Sequence, residues 1–172
     1  MVDKLLQRKN GKTQQYTPAV QSAGAADAGK VPALNSSGKL DQTLMPDGIG
    51  AATRIAPATE ALTAGAFVNE YANSGALSVR LADNSNGRVA TGFVKAQVSN
   101  GQPATVWPLD STNDQLTGLT IGADYYLGTA GGVLPTPLDA TDTAQAGKID
   151  QRLGRARSAT ELVTDDYDYV VL

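Results

Sequence analysis

The sequence predicts a mainly β protein: a small β-barrel or sandwich body, β-tulip-like in form, preceded by a long extended N-terminal arm. Three observations carry this. Residues 76–81, ALSVRL, alternate apolar and polar with period two. Eighteen Gly and eight Pro break the 172 residues into short pieces, which favours strands and turns over long helices. Residues 1–58 differ in composition from the rest and show no sustained periodicity of either kind.

Taken in order, the arm comes first. Lys4, Arg8, Lys9 and Lys12 form a basic, polar start. A run of Ala, Gly, Ser and Thr follows, with Leu34, Leu40, Leu44, Met45 and Ile49 spaced along it. Such a segment buries too little apolar area by itself to offset its ordering entropy. The expectation is therefore an arm over 1–58 that orders against a partner, with those apolar residues as pegs, and a compact all-β domain over 59–172. Charge divides at the same place. Residues 1–58 hold seven Lys/Arg against four Asp/Glu, and residues 59–172 hold seven against thirteen. A basic front and an acidic body point to different partners for the two parts.

In the body, Leu77, Val79 and Leu81 are expected to face inward from the first strand. The Asn84-Ser85-Asn86-Gly87 turn leads to a second strand within 88–98, with Val94, Ala96 and Val98 inward. Asn100-Gly101 is a hairpin signal, and 104–109 is a strand carrying the single tryptophan, Trp107. Tyr125-Tyr126-Leu127 and Val133-Leu134 are short strands between glycines, and Pro135 and Pro137 then impose an extended edge. Residues 148–156, 161–164 and 167–172 supply the last strands. Trp107, Tyr125 and Tyr126 are large apolar groups, read first as core and second as an oligomer interface.

Composition narrows the chemistry. The chain has no His and no Cys. That removes the commonest general base, the thiolate nucleophile and most zinc ligands, and the chain is read as non-enzymatic, without cofactor or metal. A hydrolase would have to work with carboxylates, and Glu60 and Glu70 have nothing but their type to pair them. Asp165, Asp166 and Asp168 lack the spacing of a calcium loop and read as an acidic turn. The N-terminal cations lack interleaved aromatics, which argues against nucleic acid. No apolar run approaches the ~18 residues that span a bilayer, so no membrane partner is expected, and the chain is read as made in the cytoplasm.

Residues 24–31, GAADAGKV, imitate a phosphate-binding loop but end in Val31 where a hydroxyl would hold Mg²⁺, with Pro32 next. The Gly-Lys-aliphatic core recurs at Gly38-Lys39-Leu40 and Gly147-Lys148-Ile149. A glycine turn, a solvated lysine and an aliphatic anchor account for all three.

Two stretches carry a resemblance. Residues 29–50, GKVPALNSSGKLDQTLMPDGIG, resemble a passage near the start of tailed-bacteriophage structural proteins. Residues 119–133, LTIGADYYLGTAGGV, with 151–156, QRLGRA, resemble a β-rich module of phage virion proteins. The resemblance is most like that of a capsid decoration (cement) protein, with a tail-fibre or baseplate module as the alternative. It implies a location on the outer capsid surface of the virion and the major capsid protein as partner. It also implies a homo-oligomer, a trimer ahead of a dimer.

Overall fold

The computed structural model describes residues 4–45 and 52–172. Contacts divide the chain into two compact units, Met1–Gly50 and Ala51–Leu172.

The first unit opens with an antiparallel hairpin, β1 (Leu5–Lys9) and β2 (Lys12–Tyr16), paired in register from Leu5↔Tyr16 to Lys9↔Lys12. Asn10 and Gly11 make its two-residue turn with φ of 53° and 75°, the left-handed pair that Asn-Gly supplies at least cost. The start of the arm is thus a hairpin rather than a simple extended chain. Beyond it the backbone is held by small polar devices. The Tyr16 hydroxyl accepts from the Val31 amide at 2.7 Å, Ala19 bridges Pro32, and Asn35 Oδ1 accepts from the amides of Ser37 and Lys39.

The second unit contains two antiparallel sheets and no closed barrel; it is sandwich-like. One sheet runs β3-β7-β6-β4-β5, from β3 (Arg54–Pro57), β4 (Phe67–Asn73), β5 (Ala76–Leu81), β6 (Gly92–Val94) and β7 (Pro103–Trp107). The other runs β10-β9-β11-β12-β8, from β8 (Thr112–Asn113), β9 (Asp124–Leu127), β10 (Val133–Leu134), β11 (Ile149–Ala156) and β12 (Leu162–Thr164). A last strand, β13 (Tyr169–Val171), pairs with the first half of β11. β3 lies within the segment 1–58 that composition assigns to the arm, yet it pairs residue for residue with β7. The physical division therefore precedes it.

The five-stranded sheet is covered on both faces. Phe67 and Phe93 project into a core shared with Tyr125, Leu127, Leu153 and Leu162 of the other sheet. Val68, Val79, Val94 and Val106 project to the opposite side, around Leu62 and Ala104. Only the start of β4, Phe67–Asn69, is buried on both faces, and the rest of FVNEYAN grows more exposed toward the hairpin, so β4 carries no period-two signal. The sheet also curls. Ala58, just past β3, bridges Val79 of β5, so its two end strands meet at a single pairing. At the other end of β3, Arg54 donates to both carboxylate oxygens of Glu70 on β4, at 2.8 and 2.6 Å.

Two inward expectations are corrected. Leu77 is 49% exposed, because it sits where the β4–β5 hairpin runs past the packed layers. Ala96 is exposed, because β6 ends at Val94 and the chain leaves the sheet.

β11 is the hub of the second sheet. Its register against β9 shifts between Arg152 and Gly154, and a Cβ on Gly154 would overlap the Val163 carbonyl on β12. Only glycine lets the two strands approach so closely there.

Candidate functional site

The four predicted cations sit on or beside the hairpin, and all are exposed. Lys4 donates to Gln15 Oε1 at 3.2 Å. Among the described residues, none of Lys4, Arg8, Lys9 and Lys12 forms an ion pair. Lys9 and Lys12 face each other directly across the hairpin, a like-charge pair that weakens it. Leu5 and Leu6 add exposed apolar surface on the same strand, at 44% and 74%. Sequence reasoning passed over these two leucines, although both sit beside the basic cluster.

Of the predicted pegs, Leu34, Leu40 and Met45 are 58%, 47% and 37% exposed. Leu44 is half-buried, and Ile49 lies outside the described residues. Val31 joins the exposed set at 47%. The unit thus presents apolar side chains outward that its own folding does not cover.

The phosphate-loop imitation resolves into a turn. Residues Gly24–Asp27 form one short 3-10 turn. The Lys30 ammonium pairs with the Asp27 carboxylate, which holds that carboxyl below its usual range and raises the lysine. Gly29, Gly38 and Gly147, which open the three Gly-Lys-aliphatic repeats, share φ of 78°, 70° and 80°. A common left-handed turn explains the recurrence.

In the second unit, Tyr125 is 5% exposed, and its hydroxyl accepts from the Thr120 amide at 2.8 Å. It is packed into this chain's own core, the first of its two readings. Tyr126 is half-buried on the other face of β9. Trp107 is half-buried against the inter-sheet core. The Lys95 ammonium lies 4.5 Å from the Trp107 ring centroid and 3.2 Å from Asp114. Beside them is a shallow groove of about 390 Å³, floored by Val98, Pro103 and Thr105.

The carboxylates are committed to structure or open to water. Glu70 pairs with Arg54, and Glu60 pairs with Arg88 while accepting from the Leu81 amide at 2.6 Å. Each thereby ties together two segments of the body that are far apart in sequence. Asp124 accepts from both Arg152 and Arg155. The two guanidiniums, Arg155 first, bring its carboxyl down to about 2. Asp165, Asp166 and Asp168 are exposed, and none is in an ion pair among the described residues. No group of three or more acidic side chains there is placed to hold a metal ion. No helix among the described residues is long and apolar enough to cross a membrane.

No family model matches the chain, and no curated protein matches it. Among solved structures, the chain is similar to the head fiber gp8.5 N base of bacteriophage phi29. The identity is 16% and the TM-score 0.45, over 67% of this chain and 95% of that one.

Proposed function

We propose that the chain is a structural protein of a tailed-phage virion, and specifically a decoration protein that binds the outer face of the major capsid protein shell and stabilises it. The observation that carries this reading is the composition of the first unit's surface. Val31, Leu34, Leu40 and Met45 are exposed on a unit with no buried residue among its described residues, in the same stretch whose sequence resembles phage structural proteins. Each is about half covered already, so burying the remainder of one such side chain at an interface contributes about 1 kcal/mol. A few of them offset the cost of ordering the segment, and a shell repeats the contact at every site, so modest affinity per site suffices. The β body is then a compact module fixed to the shell by its basic, apolar-studded leader.

The test is removal of residues 1–50. The cut spares β3, which deletion of 1–58 would tear from the body. Decoration of purified shells by the shortened chain is expected to fall at least tenfold in apparent affinity. Cryo-electron microscopy of particles carrying the full chain is expected to show density over the whole shell. Wild-type occupancy by the shortened chain overturns the arm's role. Density confined to the tail overturns decoration and leaves the tail-fibre or baseplate module.

A further inference from the structure

We propose that copies of this chain associate head to tail: the basic hairpin β1–β2 of one copy adds to the open edge of β13 in the next. The contact is between copies and is independent of any shell.

The argument begins with the sheet edges of the body. An open edge offers unpaired backbone N–H and C=O groups to another strand, and proteins blunt such edges. β10 has two residues and runs into Pro135 and Pro137. β8 also has two residues. β3 and β5 are drawn together by the Ala58–Val79 bridge. β13 is short as well, at three residues, but no proline follows it and no bridge draws it to another strand. Among the described residues it pairs with β11 alone, and Tyr169, Val170 and Val171 are 49%, 62% and 60% exposed. Nor is it a frayed end. The chain entering it is pinned by Tyr167, whose ring lies 4.3 Å under the Arg152 guanidinium. Leu172 closes the pairing by donating to the Lys148 carbonyl at 3.0 Å.

Charge selects the occupant. Asp165, Asp166 and Asp168 lead into β13, exposed and without ion pairs among the described residues. Antiparallel pairing of β13 with β13 of a second copy would leave each chain's three carboxylates at an end of the joint that supplies no cation, so charge gives that pairing no support. A cationic strand meets the opposite condition. The hairpin supplies Arg8, Lys9 and Lys12, with exposed Leu5 and Leu6 to set against Val170 and Tyr169. Its needs are complementary. A lone two-stranded hairpin is marginal in water, and this one has no buried residue and a Lys9–Lys12 pair directly opposed. Carboxylates and a third strand relieve both weaknesses, by the strand-addition mode of recognition. Because the two surfaces differ, the contact is heterologous and closes into a ring or extends according to the rotation between copies.

The experiment uses the full chain in solution without particles, so its failure is distinct from failure of the decoration reading. Sedimentation velocity is measured across a wide concentration range on the wild type and two variants. One carries Arg8→Glu, Lys9→Glu and Lys12→Glu; the other carries Asp165→Lys, Asp166→Lys and Asp168→Lys. The wild type is expected to associate, more weakly as salt rises. Each variant alone is expected to be monomeric, with an unchanged circular dichroism spectrum. An equimolar mixture sets the wild-type hairpin of the edge variant against the wild-type edge of the hairpin variant, and the Glu hairpin of one against the Lys edge of the other, so charge is complementary at both junctions. That mixture is expected to regain association that neither variant shows alone. A monomeric wild type, an oligomer indifferent to both reversals, or a mixture that stays monomeric overturns the proposal. An oligomer sensitive to the edge reversal alone also overturns it, and identifies a different occupant of β13.

Discussion

At the scale of residues, the body depends on a few buried polar side chains that stand in for backbone. Gln151 is 2% exposed. Its amide accepts from the Ala90 N–H at 2.8 Å and donates to the Ala90 carbonyl at 3.0 Å, so one side chain on β11 completes both backbone groups of a residue outside that sheet. Gln151→Leu keeps the volume and strands both groups. Each unpaired buried group costs about 1–3 kcal/mol, and urea denaturation is expected to show a loss in that range or somewhat above it. Asp124 gives a pH signature. Its folded pKa of about 2 lies below the ordinary aspartate value of 3.8, so the folded state binds the proton more weakly than the unfolded chain. The Arg152–Asp124–Arg155 tie therefore stabilises above the unfolded pKa and is lost as pH falls through the interval between the two values. A melting-temperature series from pH 5 downward should show Asp124→Asn with a flatter acid limb than the wild type, and less stable than it at pH 5.

At the scale of elements, β6 shows how three residues can join two cores. Phe93 faces the inter-sheet cluster at 5.9 Å centroid distance from Phe67, and Val94 faces the opposite cluster. Phe93→Ala removes the largest buried group of the strand, at an expected cost of about 3–5 kcal/mol, read from the denaturation midpoint. The same geometry explains which elements were legible. β5 was plain, because hairpin alternation and the following turn agree. β9 and β10 were bracketed by glycines and prolines, and Gly147 marked the start of β11. β4 was invisible to a period-two search because its start is covered on both faces while its far end is exposed. β3 was hidden by its neighbours, since RIAP follows a long Ala- and Gly-rich segment and pairs with residues some fifty positions later. The N-terminal hairpin had a signal, Asn10-Gly11, but its strands are polar and exposed on both sides, so pattern alone did not separate it from an extended arm.

At the scale of the molecule, burial was the part that sequence could not decide. Leu34, Leu40 and Met45 were legible as outward pegs because nothing nearby could cover them. Trp107, Tyr125 and Tyr126 were not separable by type, since only the pairing of β9 and β7 shows which ring is spent inside. The edge at β13 was equally hidden: YVV reads as a buried strand, and its exposure follows from topology. The connection between the two units has a mechanical consequence. A pull on residues 1–50 enters the second unit at β3, the first strand of that unit along the chain. That strand is fastened at its leading end by the two-pronged Arg54–Glu70 grip. At its trailing end, the Thr59 amide donates to the Val79 carbonyl at 2.9 Å. A tether so riveted at both ends does not unzip one rung at a time. Its rungs share the load, so the module resists being torn from its leash.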